Sequence, residues 1–246
     1  NVSMEKVTAQ LSLSLGKSRH TITIDNVSFD MIRVDGGTFM MGAPPEQQDA
    51  GIYDKPAHQI TLSTYYIGET EVTQELWQAV MKSNPSDFKG NNKPVERVSW
   101  QDCQDFILKL NHITGMSFRL PTESEWEYAA RGGNKSRRYL YSGSNRLEDV
   151  GRYDKRVPFD SRDWGTYGVK MKKANELGLY DMSGNVWEWC QDWFVYYDSS
   201  DYMDFKERVI RGGGWSHYEH NCRVWSRAHE KPGARYNHLG LRLVLQ

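Results

Sequence analysis

From Leu11 onward the apolar positions fall on alternate residues: Leu11, Leu13 and Leu15, then Ile22 and Ile24, then Val27 and Phe29, and then Met31, Ile32 and Val34. A period of two sets every second side chain on one face of an extended chain, so this stretch predicts two or three strands with a turn near Gly16 to Arg19. The alternation resumes at His58-Gln59-Ile60-Thr61-Leu62, with His58 expected as a solvated or satisfied strand-end residue. The period then lengthens. Leu76, Trp77 and Val80 share one face of a helix predicted over Thr73 to Met81, with Thr73 as its N-cap. Cys103, Phe106, Ile107 and Leu110 form the stripe of a second helix, from about Trp100 to Asn111, capped by Ser99. Cys103 is expected there as a buried hydrophobe. Thr122-Glu123-Ser124-Glu125 is a capping box opening a third helix. Trp126, Tyr128, Ala129 and Ala130 point inward along it until Gly132-Gly133 ends it. Glu123, Glu125 and Glu127 fall on more than one face, which predicts capping and surface salt bridges rather than an acid/base pair.

Asn134 to Asn175 is the least patterned region, and loops this long inside a compact domain are either functional or loosely ordered. Gly178 to Phe194, GLYDMSGNVWEWCQDWF, holds three tryptophans and the turn formers Asp181, Ser183, Gly184 and Asn185. It reads as a structured loop rather than an ordinary helix or strand. Trp187 and Trp189 would share one face of an extended segment, with Glu188 on the other. Ordering such a loop is costly, so it is expected to enclose a metal or the backbone of another segment. A polar, tyrosine-rich crossing follows from Val195 to Met203, then a strand over Arg208 to Ile210, a glycine turn at Gly212 to Gly214 and a terminal strand at Leu241 to Leu245. The sum is a mixed α+β chain of short strands, two or three helices and much irregular backbone.

Composition narrows the function classes. The 246 residues, 38% hydrophobic, suffice for a sizeable core, and no linker divides them. A net charge of −1 with acids and bases interspersed excludes a nucleic-acid footprint. No apolar run approaches the ~20 residues that cross a bilayer. Cys103, Cys190 and Cys222 are too few and too far apart for a disulfide framework or a C-x-x-C zinc site, and at least one must be free or pair outside the chain. A Cys190–Cys222 bond is one option for an exported protein. Asn1 in place of a methionine suggests a processed start, with any signal peptide outside the given chain. Neither a G-x-S-x-G elbow nor a phosphate-cradling G-x-x-x-x-G-K-[ST] is present.

Five collinear segments carry a family resemblance: GGTFMMG at Gly36 to Gly42, EVTQELW at Glu71 to Trp77, RLPTESEWEYAARGG at Arg119 to Gly133, the Gly178 to Phe194 loop, and RVIRGGGW at Arg208 to Trp215 followed by NCRVWSR and GLRLVL. The chain thereby resembles the formylglycine-generating enzymes, the sulfatase-modifying-factor domain family. The resemblance implies an elaborated C-type-lectin-like fold over residues 31–246, with residues 1–30 as an N-terminal strand extension. It also implies a structural calcium ion held by the Asp181 and Glu188 side chains and the Gly184 and Val186 carbonyls, a set of hard oxygens suited to Ca²⁺. The family's other calcium site has no obvious match at Gly151-Arg152-Tyr153.

Family members that make formylglycine carry two cysteines four residues apart after the glycines; the pair binds copper(I), and oxygen then oxidises a substrate cysteine in a sulfatase. Here the second position is Cys222, but the first is His217, and a serine expected after two glycines is Gly214. Imidazole and thiolate are competent copper ligands, so an oxidase with a His217/Cys222 site, with His220 as an optional third ligand, is one expectation. The favoured one is an exported binding or accessory module without the copper centre, in the periplasm or at the cell surface. Its partner would be a peptide or small molecule, a sulfatase or an envelope-complex protein, taken in a groove lined by Trp187, Trp215, Tyr218, His220 and Trp225. A lectin-like display protein is the third expectation. The family's sulfoxide-synthase branch needs a histidine-rich helical domain that this chain lacks.

Overall fold

A computed structural model describes residues 17–154, 164–198 and 206–245. The strands are β1 (Arg19–Ile24), β2 (Val27–Val34), β3 (Gly37–Met41), β4 (His58–Leu62), β5 (Tyr65–Gly68), β6 (Phe118–Arg119), β7 (Trp187–Trp193), β8 (Arg208–Arg211), β9 (Arg227–Glu230), β10 (Leu239–Gly240) and β11 (Val244–Leu245). The helices are α1 (Gln74–Met81), α2 (Trp100–Thr114), α3 (Glu123–Ala130) and the single turn α4 (Leu147–Val150). An antiparallel five-stranded sheet runs β1-β2-β5-β11-β6; a four-stranded sheet runs β10-β7-β8-β9, with β10 parallel to β7; β3 and β4 form a separate ribbon.

Strand periodicity builds two cores on the two faces of the larger sheet. Ile22, Ile24, Met31, Leu243 and Leu245 face α1 and α2, where Trp77 stacks on Phe106 with ring centroids 4.8 Å apart. Their neighbours Ile32, Val34, Ile67 and Val244 face Trp126 and Ala129 of α3. The β1–β2 turn lies at Asp25-Asn26, both with positive φ, the geometry of a two-residue hairpin, and the pairing of Ile24 with Val27 leaves room for two residues only; the turn expected near Gly16 to Arg19, ahead of β1, borders residues outside those described. The hairpin spans residue 30, and Ile22 and Ile24 share a core with the helices. The strand expected around Leu11, Leu13 and Leu15 lies outside the described residues.

The helix caps match expectation. Thr73 accepts from the Leu76 amide, and Ser99 and Thr122 form capping boxes with Asp102 and Glu125. α2 runs three residues beyond Asn111, to a left-handed Gly115. Two expectations change. The second half of the Gly178 to Phe194 loop is a strand, β7, because it pairs on both sides with β8 and β10, with a shift of register against β8 between Trp189 and Trp193. The carboxylates of Glu123 and Glu127 are not at the surface: buried Arg211 and Arg227 come from β8 and β9 to meet them.

Candidate functional site

The segment from Tyr180 to Val186 folds by left-handed residues at Asp181, Gly184 and Asn185, and what it encloses is backbone. The Asn185 amide donates to the Arg152 carbonyl at 2.7 Å, and the Gly184 amide to the Gly212 carbonyl at 2.7 Å. The Asn185 carbonyl accepts from the Trp215 amide at 2.8 Å, and the Ser183 hydroxyl donates to the Cys222 carbonyl at 2.8 Å. Gly184 has φ +93°, and any side chain there would run into the backbone of Arg152. One turn thus fixes residues 152, 212, 215 and 222 relative to one another. β7 leaves it with Trp187 and Trp189 in the helix-side core and Glu188 on the opposite face, the alternation expected of an extended chain.

Glu188 is fully buried, and Arg242 donates to both its oxygens at 2.7–3.1 Å while the Trp126 indole donates at 2.6 Å. Arg242 also donates to the carbonyls of Gly68 and Tyr180. Glu71 joins this cluster, accepting from the Asn185 side chain at 2.8 Å and the Val186 amide at 3.1 Å. Asp181 accepts from the Lys170 amide at 2.9 Å. Burial, then the charges of Asp181 and Glu188, push the Glu71 carboxyl well above its ordinary value; burial is likewise the main cause that raises Asp181, to about 6. Three buried carboxyls against one buried arginine cannot all stay ionised without a further positive charge, so a cation bound here would compete with the protons that burial favours. The expected donor set fits less well, since the Glu188 oxygens already accept from Arg242 and Trp126. Among the described residues no three His, Cys, Asp or Glu side chains form a metal cluster by themselves, so a cation here would rest on Asp181 and the Gly184 and Val186 carbonyls.

The two residues at the expected copper positions pack against different groups. Cys222 has no solvent exposure and packs with Tyr141, Leu147, Val150 and Tyr153. Its Sγ lies beneath Gly213, where an added Cβ would come within 2.6 Å, and its one bond is to the Tyr218 carbonyl at 3.8 Å. Burial, and then the charge of Glu219, push this thiol far up from its ordinary value, the opposite of what a thiolate ligand needs. His217 faces other groups, edge-on to Trp187 at 5.5 Å and to His238 at 4.7 Å. Burial lowers both imidazoles, His238 to about 4, so both are neutral rings at neutral pH. Cys190 lies in the α3-side core away from Cys222, and all three thiols are free, so the optional Cys190–Cys222 bond is not formed.

The expected groove is divided. Trp215 is buried but fronts a cavity with Trp164, its ring edge-on to Trp164 at 4.8 Å and to Phe88 at 5.2 Å. Tyr218, 55% exposed, and His220 lie on the open surface with rings 6.0 Å apart. Trp187 is behind them in the core, its ring edge-on to His217 and its amide donating to the His238 carbonyl at 2.7 Å. Trp225 is not in the groove: it belongs to the α3-side core, flanked by the guanidinium groups of Arg131 and Arg223 at 5.8 Å, and sits in the turn that the Ser226 amide closes on the Arg223 carbonyl. Sequence reasoning missed Tyr236 and His238, whose stacked rings 5.2 Å apart complete this face, and Arg152 and Trp164. Nothing local marked them; they lie in irregular chain, in three segments set apart in sequence, of which the Asn185 amide fixes Arg152.

The sulfatase-modifying factor enzyme 1-like domain model matches residues 24–246. The chain is 37% identical over 235 residues to a protein of Paenibacillus barcinonensis named chaperone protein LppX, covering 77% of this chain and 79% of that one. It is 29% identical over 282 residues to the formylglycine-generating enzyme of Streptomyces coelicolor, covering 86% and 87%. The solved structure of Treponema denticola variable protein 1 superimposes with a TM-score of 0.82 at 31% identity, over 93% of this chain and 99% of that one. By its motifs, its two-sheet architecture and these likenesses, the chain belongs to the sulfatase-modifying factor, or formylglycine-generating enzyme, family.

Proposed function

We propose that this chain is an exported ligand-binding or accessory module of its family that works without a copper oxidase centre. The observation that carries this reading is Cys222: the one cysteine at a family copper position is sealed in an apolar cluster, while His217, at the other position, is packed among aromatic rings. A face built from His217, Tyr218, His220, Tyr236 and His238 around Trp215 suits recognition of a peptide or small molecule, because aromatic and imidazole rings offer large contact area with few rotatable bonds. A structural calcium ion at Asp181 and the carbonyls of Gly184 and Val186 would stiffen the turn that assembles this face. No helix among the described residues is long and apolar enough to cross a membrane, consistent with action in the periplasm or at the cell surface.

The test is copper(I) binding by the reduced protein, with Cys222→Ser as control, followed by oxygen uptake with a peptide bearing a sulfatase cysteine motif. The expected result is no thiol-dependent binding and no uptake. Tight binding lost in Cys222→Ser, with peptide-dependent uptake, would make the chain a His/Cys variant oxidase. Ligand display is a second reading, favoured by the exposure of Tyr218, His220 and Tyr236 and the likeness to a protein named as variable. Gene copies differing only between Trp215 and Asn237 would support it.

A further inference from the structure

Arg152 is 3% exposed, yet no ion pair joins it to a carboxylate among the described residues. Its Nε donates to the Gly165 carbonyl at 3.3 Å, and its guanidinium lies 4.4 Å from the centre of the Tyr167 ring. No hydrogen-bond acceptor among the described residues meets its two terminal nitrogens. This contrasts with Arg211, Arg227 and Arg242, equally buried, each of which meets a glutamate. A buried guanidinium without a countercharge is costly, and this one lines a cavity of about 60 Å³ with Tyr153, Asp154, Trp164, Trp215 and Ser216. That volume holds about four waters. The backbone of Arg152 is fixed independently of its side chain, since its carbonyl accepts the Asn185 amide and Gly184 closes over it.

We propose that this cavity takes a carboxylate on a short apolar stem, with Arg152 pairing the carboxylate and Trp164 and Trp215 clasping the stem. The proposal rests on the reading of this face as a ligand site and names the chemistry it selects. A planar guanidinium matches a carboxylate through two parallel bonds. One arginine balances one negative charge, which favours a carboxylate over a doubly charged phosphate ester. Asp154 also lines the cavity but has an interaction of its own. The cavity is too small for a whole peptide, so the bound group is the carboxylate end of a ligand whose remainder lies across Tyr218 and Tyr236.

The experiment compares an acid with its neutral isostere on the copper-free protein: propionate against propionamide, then N-acetyl-dialanine against its C-terminal amide, followed by tryptophan fluorescence and ligand-observed NMR. The acid is expected to bind at least about tenfold more tightly than the amide, the usual scale of a charge-assisted hydrogen-bond pair, and Arg152→Gln to abolish the preference. Preference for the dialanine acid over propionate identifies a peptide end; the reverse identifies a small acid. Equal binding of acid and amide, or a preference that survives in a folded Arg152→Gln variant, overturns the proposal. The comparison on the unsubstituted protein decides the matter even if Arg152→Gln does not fold. Because copper is absent throughout, this outcome is independent of the oxidase test: copper-dependent oxidation sinks the binding-module reading, whereas loss of acid preference sinks only the carboxylate site.

Discussion

Two groups of buried arginines, on either side of the Asn185 turn, are handled in opposite ways. Behind it, Arg242 is closed on Glu188, and Arg211 and Arg227 on Glu123 and Glu127, with Trp126 and Tyr197 covering guanidinium faces. In front of it, Arg152 has aromatic rings and a cavity but, among the described residues, no acid partner. The first arrangement ties α3 to β8 and β9, and β7 to the segment that leads into β11. The second leaves charge unspent where the chain meets solvent. Within one fold, closed pairs belong to architecture and an open one to recognition.

The sharpest way to break this contrast is to open a closed pair. Arg242→Ala strands Glu188 beside Glu71 and Asp181 and should cost about 3–5 kcal/mol, read by urea unfolding; a cost below about 1 kcal/mol would remove the architectural role. Gly184→Ala comes next. It puts a Cβ at positive φ against the Arg152 backbone, so a loss of about 2–3 kcal/mol is expected, together with weakened ligand binding because Arg152 and Trp215 move apart.

The third prediction concerns pH and calcium. Asp181 holds its proton up to about 6 in the folded chain, above its ordinary value of 3.8, and Glu71 is raised too. Groups raised on folding contribute stability that is full below their unfolded values and lost as pH rises through the folded ones. Without added metal the melting temperature should therefore fall between pH 4 and pH 6 and beyond. Calcium should restore it above pH 6 by favouring the ionised carboxylates, and Asp181→Asn should remove both the calcium gain and part of the pH dependence. A calcium response unchanged in Asp181→Asn would place any ion elsewhere. The smallest structural effect is expected at the rim: Tyr236→Ala should change stability by less than about 0.5 kcal/mol while altering which ligands bind.

The helices were legible because each carries its own signal: Thr73, Ser99 and Thr122 cap within three residues, and the stripes of Leu76 or Cys103 repeat locally. The family and the importance of the Gly178 to Phe194 segment were legible for the same reason. The burial of Glu127 was not, since beside the nearby Arg131 it meets Arg211, 84 residues away, where α3 packs on β8. Nor was the path of Trp225, decided by a short turn after Tyr218 rather than by any periodicity. Arg152 and Trp164 sit in a stretch without pattern, and their meaning is set wholly by the backbone bonds that the Asn185 turn makes at long range.

The placement of β10 and β11 governs when this protein can form at all. Residues 239–240 complete the four-stranded sheet beside β7, and residues 244–245 slot between β5 and β6 inside the other. Without those pairings one sheet has a gap and the other lacks an edge, and Ile67, Phe118 and Trp187 lose the neighbours that β10 and β11 bring. Closure of both cores therefore waits on contacts that reach back across much of the chain, the kind that form slowly.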